Sequence, residues 1–211
     1  MQDILPKLYE YCDQHSTLFD PILPEIERAT HLLTLSPRMI SGHLQGSLLA
    51  MISKIISPEC ILEIGTFTGY SAICLAQGLR TGGHLITIEY DKENAAIASD
   101  FFEKSSFCES IRLYTGDAKN IIPDLNETFD LIFIDADKEA YATYYDMVID
   151  KCRSGALILV DNVLWSGKVI LEKKDKKTRW IDDFNQKISS DSRVESLILP
   201  IRDGINVIRK K

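Results

Sequence analysis

The sequence predicts an α/β fold: a mostly parallel seven-stranded sheet, an antiparallel strand near the C-terminus, helices on both faces and extra helices at the N-terminus. Three observations predict it. From residue 60 onward, short apolar runs alternate with stretches long enough to cross over as helices. Two of the runs, 131–134 and 156–160, are apolar without interruption, as strands covered on both faces are. Before residue 58 the spacing is helical and punctuated by prolines.

Taken in order, residues 1–57 read as an N-terminal helical region, serving as lid or interface, in which Pro6, Pro21, Pro24 and Pro37 break the chain into short pieces. After Pro37 an amphipathic run places Leu44, Leu48, Met51, Ile52 and Ile55 at helical spacing, and Pro58 ends it. Residues 58–211 form the core, in one domain of 1–211. Its apolar runs are 61–64, 85–88, 111–114, 131–134, 156–160, 194–199 and 205–208. Stretches such as 70–80 and 91–104 are long enough to return the chain as crossover helices. Only residues 200–203 separate the last two runs, which suits a hairpin and makes a strand there antiparallel.

Composition narrows the function. The 211 residues are 45% hydrophobic and 26% charged, as in one globular domain with a core sufficient to fold without disulfides or structural metal. No apolar run approaches the ~18 residues of a membrane span, and the first ten residues lack the basic and apolar regions of a secretory signal. With 31 acidic against 24 basic residues the net charge is −7, which argues against general nucleic-acid binding. Cys12, Cys60, Cys74, Cys108 and Cys152 are odd in number, scattered and never CxxC, so they read as reduced core residues of a cytoplasmic protein. His15, His31, His43 and His84 lack zinc-ligand spacing.

Ligands of an open parallel sheet bind at the carboxyl ends of its strands, and here those ends carry acids: Glu63, Glu89, Asp135 with Asp137, and Asp161. The first turn is Gly65-Thr66-Phe67-Thr68-Gly69, glycine-bearing but not GxGxxG. Glu63 beside it repels a pyrophosphate and suits a cationic ligand such as a sulfonium amino acid. Ser71 either meets that ligand's carboxylate or simply caps the next helix. Glu89, 20 residues after Gly69, stands where an acid takes ribose hydroxyls, or else is a solvated strand end.

Asp135, Asp161 and Asn162 gather hard oxygen donors at the ends of two strands that should be neighbours. That donor set favours Mg²⁺, with Mn²⁺ or Ca²⁺ also suited, and leaves positions for water and substrate. The plain alternative for Asp161-Asn162 is a turn or helix cap. Lys138 leans over the same place from a helix start, where the dipole disfavours a cation, or is a surface lysine.

These residues lie in LEIGTFTGYS (62–71), IFIDADK (132–138), VDNVLWSG (160–167) and LPIRDG (199–204). In order and spacing the four segments resemble the cation-dependent S-adenosylmethionine O-methyltransferases, the caffeoyl-CoA and catechol O-methyltransferase family, in its bacterial form. The resemblance runs from about residue 37 to the end. It implies a Rossmann-like class I methyltransferase fold and two cofactors, S-adenosylmethionine and a divalent cation. It implies that Glu63, Gly65, Thr66 and Ser71 line the methionine part, that Glu89 holds the ribose, and that Ala118 and Asp137 border the adenosine. Ser41 would meet the cofactor's amino acid through its backbone. Asp135, Asp161 and Asn162 match metal ligands, Lys138 the general base, and Trp165 a wall against an aromatic acceptor. The implied reaction is attack of a catechol oxygen, held by the cation and deprotonated by Lys138, on the sulfonium methyl. A homodimer is implied as well.

Two departures concern the acceptor pocket: Ser166 stands where plant caffeoyl-CoA enzymes usually carry Asn, and residues 1–36 match no family segment. A second reading on the same fold is methylation of 5-hydroxyuridine in tRNA. The run of Lys168, Lys173, Lys174, Lys176, Lys177 and Arg179 would then meet phosphates, where otherwise it is a solvated face. A nicotinamide oxidoreductase is disfavoured by the missing GxGxxG and by Glu63. A non-catalytic binding protein is disfavoured because Lys138 and all three metal-ligand positions are kept.

Overall fold

The computed structural model describes residues 4–17 and 20–211; residues 1–3 and 18–19 of the predicted N-terminal region lie outside the described residues. Helices α1 (Ile4–Gln14) and α2 (Leu23–Leu33), a 3-10 turn (Pro37–Met39) and α3 (Gly42–Ile56) come first. Pro24 occupies the first turn of α2, and Pro37 opens the 3-10 turn. Pro6 breaks nothing, against expectation. It sits in the first turn of α1, where its missing N–H has no intrahelical partner to lose. Ser57, left-handed at φ 50°, closes α3 just before Pro58.

The packing of α3 differs from the expected apolar stripe. Its buried residues are Gln45, Gly46, Leu49, Ala50 and Ser53, whereas Met51 and Ile55 are exposed. The cause is the close approach of α4 (Tyr70–Ala76). A methyl group on Gly46 would stand 2.7 Å from Tyr70 Cε1 and 2.8 Å from Cys74 Sγ. Ser53 Oγ donates to the Leu75 carbonyl at 2.6 Å. Small side chains therefore line the contact with α4, Leu49 still enters the core, and Met51 and Ile55 are turned outward.

The remaining elements alternate as predicted: β1 (Cys60–Ile64), α4, β2 (His84–Glu89), α5 (Lys92–Lys104), β3 (Ile111–Thr115), α6 (Ala118–Ile121), β4 (Phe129–Ile134), α7 (Tyr141–Val148), β5 (Cys152–Asp161), α8 (Lys176–Ser190), β6 (Val194–Leu199) and β7 (Ile205–Lys210). They build one seven-stranded sheet in the order β3-β2-β1-β4-β5-β7-β6. Strands β1 to β5 pair in parallel, and β6 and β7 form the expected hairpin. The antiparallel strand is β7, inserted between β5 and β6 rather than closing the sheet edge.

Alternate residues of the central strands feed two cores. Leu62, Ile64, Ile132 and Ile134 pack with Tyr141 and Tyr145 of α7 and Phe184 of α8. On the other face Ile61, Leu131 and Phe133 pack with Leu49 of α3, Ile73 of α4 and Phe101 of α5. Each fully buried Leu, Ile or Phe contributes about 1.5–3 kcal/mol. All five cysteines are free, yet only Cys60, Cys74 and Cys152 belong to the core; Cys12 and Cys108 are exposed. Among the described residues no helix is long and apolar enough to cross a membrane.

Strand order reverses between β1 and β4. At such a switch point the loops leaving the two strands diverge to opposite faces and open a crevice at their carboxyl ends.

Candidate active site

That crevice is a cavity of about 850 Å³. It brings together Ser41, Gly65, Thr66, Ser71, Glu89, Ala118 and Asp137 with Asp135, Lys138, Asp161, Asn162 and Trp165. Glu63 does not line it; it is fully buried behind the first turn.

The first turn owes its shape to Gly65. Its φ is +98°, and a methyl group there would collide with the backbone carbonyl of Asp135. Only glycine allows both the left-handed backbone and the close approach of the turns that follow β1 and β4. Gly65 N–H donates to Ile88 O at 2.9 Å, and Asp135 N–H donates to Ile64 O at 2.9 Å, stitching the three strand ends together.

Beneath the turn, Thr87 Oγ1 donates to Glu63 Oε2 at 2.6 Å and pairs with Thr66 Oγ1 at 2.5 Å. Among the described residues the buried Glu63 Oε1 has no hydrogen-bond partner within the usual distance, while the nearby Ser71 and Thr87 hydroxyls favour the ionised carboxylate. Burial pushes the Glu63 carboxyl up to about 8. Glu89 at the end of β2 accepts the Phe67 N–H at 2.7 Å through Oε2 and the Asp91 N–H at 2.9 Å through Oε1. Burial raises its pKa, and those backbone donors oppose the rise. Asp137 caps the 3-10 turn that starts at Lys138.

The acidic wall is built from β4 and β5, which are paired neighbours as expected. Lys138 Nζ donates to Asp135 Oδ1 at 2.8 Å and to the Tyr141 hydroxyl at 2.7 Å. The Tyr141 hydroxyl donates in turn to the Asp161 carbonyl at 2.8 Å. Tyr141 is fully buried, and burial together with the nearby Asp135 and Asp161 charges raises its pKa well above the usual phenol range. The Asp161 carboxylate accepts Gln45 Nε2 at 2.6 Å and its neighbour's Asn162 N–H at 2.7 Å. Burial and the Asp135 charge push it up to about 6.

Asn162, Trp165 and Ser166 all have positive φ, so the loop after β5 needs support. The 199–204 segment supplies it. Gly204 O accepts the Val163 N–H at 3.1 Å, Asp203 O accepts the Leu164 N–H at 2.8 Å, and the Asp203 carboxylate accepts the Ser166 N–H. Trp165 is thereby held at the cavity. Arg202 Nη1 reaches across to the Ile40 carbonyl at 2.8 Å, to the Ser41 carbonyl, and to Gln45 Oε1 at 3.4 Å.

Sequence reasoning missed Gln45, Tyr141 and Arg202. Arg202 lies in the 199–204 segment, where sequence alone assigns it no role. Tyr141 follows Lys138 by three residues, one helical step, and that spacing was the available signal. Gln45 carried no signal, because its partner Asp161 is 116 residues away.

The basic run from 168 to 179 is largely occupied within its own neighbourhood. Lys168 lies 4.0 Å from Asp175, and Lys174 lies 2.5 Å from Asp182. Lys176 stands 4.7 Å over the Trp180 ring, and Arg179 donates to the Lys174 carbonyl at 2.7 Å. Lys177 lines the cavity.

A sequence model of the O-methyltransferase family matches residues 13–211, reaching further toward the N-terminus than residue 37. Caffeoyl-CoA O-methyltransferase 1 of Nicotiana tabacum is 34% identical over 179 residues, 79% of this chain and 75% of that protein. A catechol O-methyltransferase of Niastella koreensis is 36% identical over 160 residues, 74% of this chain and 72% of that protein. The SAH-bound Podospora anserina methyltransferase PaMTH1 superposes with a TM-score of 0.91 at 29% identity, over 99% of this chain and 96% of that one. The O-methyltransferase from Bacillus cereus in complex with SAH gives 0.88 at 30% identity, over 96% of each chain.

Proposed function

Because the chain belongs to the O-methyltransferase family and is an S-adenosylmethionine-dependent O-methyltransferase, we propose that it methylates one hydroxyl of a catechol-like vicinal dihydroxy aromatic with the help of a divalent cation. One observation carries this reading. Asp135, Asp161, Asn162 and Lys138 share one wall of a cavity whose other parts are the Gly65 turn and Glu89.

The donor set fits a hard cation. It offers two carboxylates and an amide, with no thiol or imidazole, which suits Mg²⁺ first and Mn²⁺ or Ca²⁺ next. Asp161 is 3% exposed, and among the described residues it pairs with no cationic side chain. A buried carboxylate facing a second carboxylate calls for positive charge. Among the described residues no three His, Cys, Asp or Glu side chains cluster for a metal. Asn162, water and the acceptor's own oxygens would therefore complete the shell. The cofactor's amino group is the natural partner of the orphaned Glu63 oxygen, reached directly or through water.

When bound, the cation supplies a charge that lowers the acceptor's phenol pKa, and S-adenosylmethionine supplies the methyl group. Asp135, Asp161 and Asn162 would hold the cation. Ser41, Gly65, Thr66, Ser71, Glu89, Ala118 and Asp137 would hold the cofactor, with Glu63 behind them. Lys138, in its neutral amine form after its ammonium has released a proton to solvent, would take the acceptor's hydroxyl proton on Nζ. Tyr141 fixes where that nitrogen points. Trp165 walls the aromatic ring and helps exclude water. Much of the acceleration is then orientation of two bound reactants.

The test is methyl transfer from labelled S-adenosylmethionine to catechol, caffeate, caffeoyl-CoA and hydroxyuridine-containing tRNA, each with Mg²⁺ and with EDTA. Metal-dependent transfer to a vicinal diol supports the reading, and equal transfer in EDTA removes the cation from it. Transfer to tRNA alone would move the function to RNA. No specific observation favours that outcome, since most charges of the 168–179 run are engaged locally. A homodimer and a cytoplasmic setting belong to the same proposal; free cysteines suit the latter, and light scattering tests the former.

A further inference from the structure

Gln45 is a polar side chain at 0% exposure on a helix face that otherwise packs small or apolar residues. Burying such a group costs free energy unless its amide is hydrogen-bonded, and both ends of this one are used. Nε2 donates to Asp161 Oδ2 at 2.6 Å, and Oε1 accepts from Arg202 Nη1 at 3.4 Å. The same Arg202 nitrogen has two N–H groups and donates to the carbonyls of Ile40 and Ser41, so one N–H is shared with Gln45 Oε1 at the longer distance. A continuous hydrogen-bonded path therefore runs from a carboxylate on the acidic wall, through Gln45 and Arg202, to the backbone at Ser41 on the cofactor side. It joins three segments far apart in sequence: the start of α3, the end of β5 and the loop before β7. No apolar residue could replace Gln45 in it, because the path needs a donor at one end and an acceptor at the other.

We propose that Gln45 is a positioning residue that couples the two halves of the cavity, so that occupancy at Asp161 and occupancy beside Ser41 strengthen each other. The inference rests on the proposed cation at Asp161. The amide N–H of Gln45 fixes the rotation of that carboxylate and so the lone pairs it turns toward the cavity. With a cation held by Asp161, the Gln45 amide would be confined to this orientation. Arg202 transmits that order to the Ile40–Ser41 carbonyls, which border the cofactor side. Coupling of this kind is reciprocal: each ligand must improve the other's affinity by the same factor.

The experiment is a Mn²⁺ titration, read by the electron paramagnetic resonance of free Mn²⁺, with and without S-adenosylhomocysteine. It is run on the full chain, on Gln45→Met and on Arg202→Met. In the native chain S-adenosylhomocysteine should tighten Mn²⁺ binding by about fivefold or more. Gln45→Met keeps the length of the side chain and removes the donor. It should weaken Mn²⁺ by about 10–100-fold and abolish the effect of S-adenosylhomocysteine. Arg202→Met cuts the path at its other joint, so Mn²⁺ alone should still bind while the coupling disappears. It also keeps the question decidable if Gln45→Met does not fold. Native Mn²⁺ affinity that ignores S-adenosylhomocysteine, or coupling that survives in a folded variant, overturns the inference and leaves the cation reading standing. A native chain that binds no Mn²⁺ overturns both.

Discussion

The Tyr141 hydroxyl accepts a hydrogen bond from Lys138 Nζ at 2.7 Å, one helical step away, and donates its own to the Asp161 carbonyl at 2.8 Å. A long flexible amine is thus held on a fully buried phenol. Tyr141→Phe keeps the ring packed against Phe184, 5.6 Å between centroids, and removes only the oxygen. The lost buried hydrogen bonds should cost about 1–3 kcal/mol of stability. The freed amine should lower kcat by about tenfold or more, a fraction of the 10²–10⁴ that a general base supplies, while KM for S-adenosylmethionine stays within about twofold. Steady-state kinetics beside a thermal melt separates the two effects, and unchanged kcat would show that Tyr141 serves packing alone.

On the proposed cation site, Asp161→Ala should remove Mn²⁺ binding and reduce turnover by at least about 100-fold, because it would delete a proposed ligand and leave Gln45 Nε2 without its acceptor. S-adenosylhomocysteine should still bind when EDTA is present, since Gly65 and Glu89 are untouched. Calorimetry with each ligand alone checks this. Full turnover in the variant would exclude Asp161 from the chemistry.

The legible part of this protein was what repeats locally. Strand runs, crossover lengths and the acids closing β1, β2, β4 and β5 are sequence-local patterns, and each lies where the alternation of elements put it. Gln45 and Arg202 were not legible because their partners come from distant segments that only the sheet order brings together. The outward turn of Met51 and Ile55 was hidden for a related reason. Helical spacing predicts a stripe, but the close contact of Gly46 with Tyr70 decides which side of α3 is the inside. The inward recess of Glu63 behind its turn likewise depends on Thr87, a residue of the next strand.

Gly65→Ala tests the turn. The variant must hold a left-handed backbone at φ +98° and push the Asp135 carbonyl aside. Residual strain of this kind costs about 1–3 kcal/mol, and the displaced Asp135 carries the effect into the acidic wall. The expected outcome is a lowered melting temperature with at least about tenfold weaker S-adenosylhomocysteine binding, the latter because the backbone no longer permits close approach. A variant with native melting and native affinity would mean that the turn can rearrange freely.

Glu63 makes the ligand-free protein sensitive to pH in a direction opposite to an ordinary surface carboxylate. Burial lifts its folded pKa from 4.5 to about 8, so the folded state holds a proton that the unfolded chain has already released. Stability from this group is therefore complete below about 4.5 and declines as pH rises toward 8. Glu63→Gln, neutral at every pH, should show no such decline, and the gap between the two melting temperatures should move in favour of the variant between pH 5 and pH 8. A bound ammonium reverses the preference, since it favours the ionised carboxylate. S-adenosylhomocysteine should then bind the native chain with release of a proton near neutral pH, and Glu63→Gln without it. Calorimetry in two buffers of different ionisation enthalpy measures that proton. Equal proton counts in the two proteins would place the titration elsewhere.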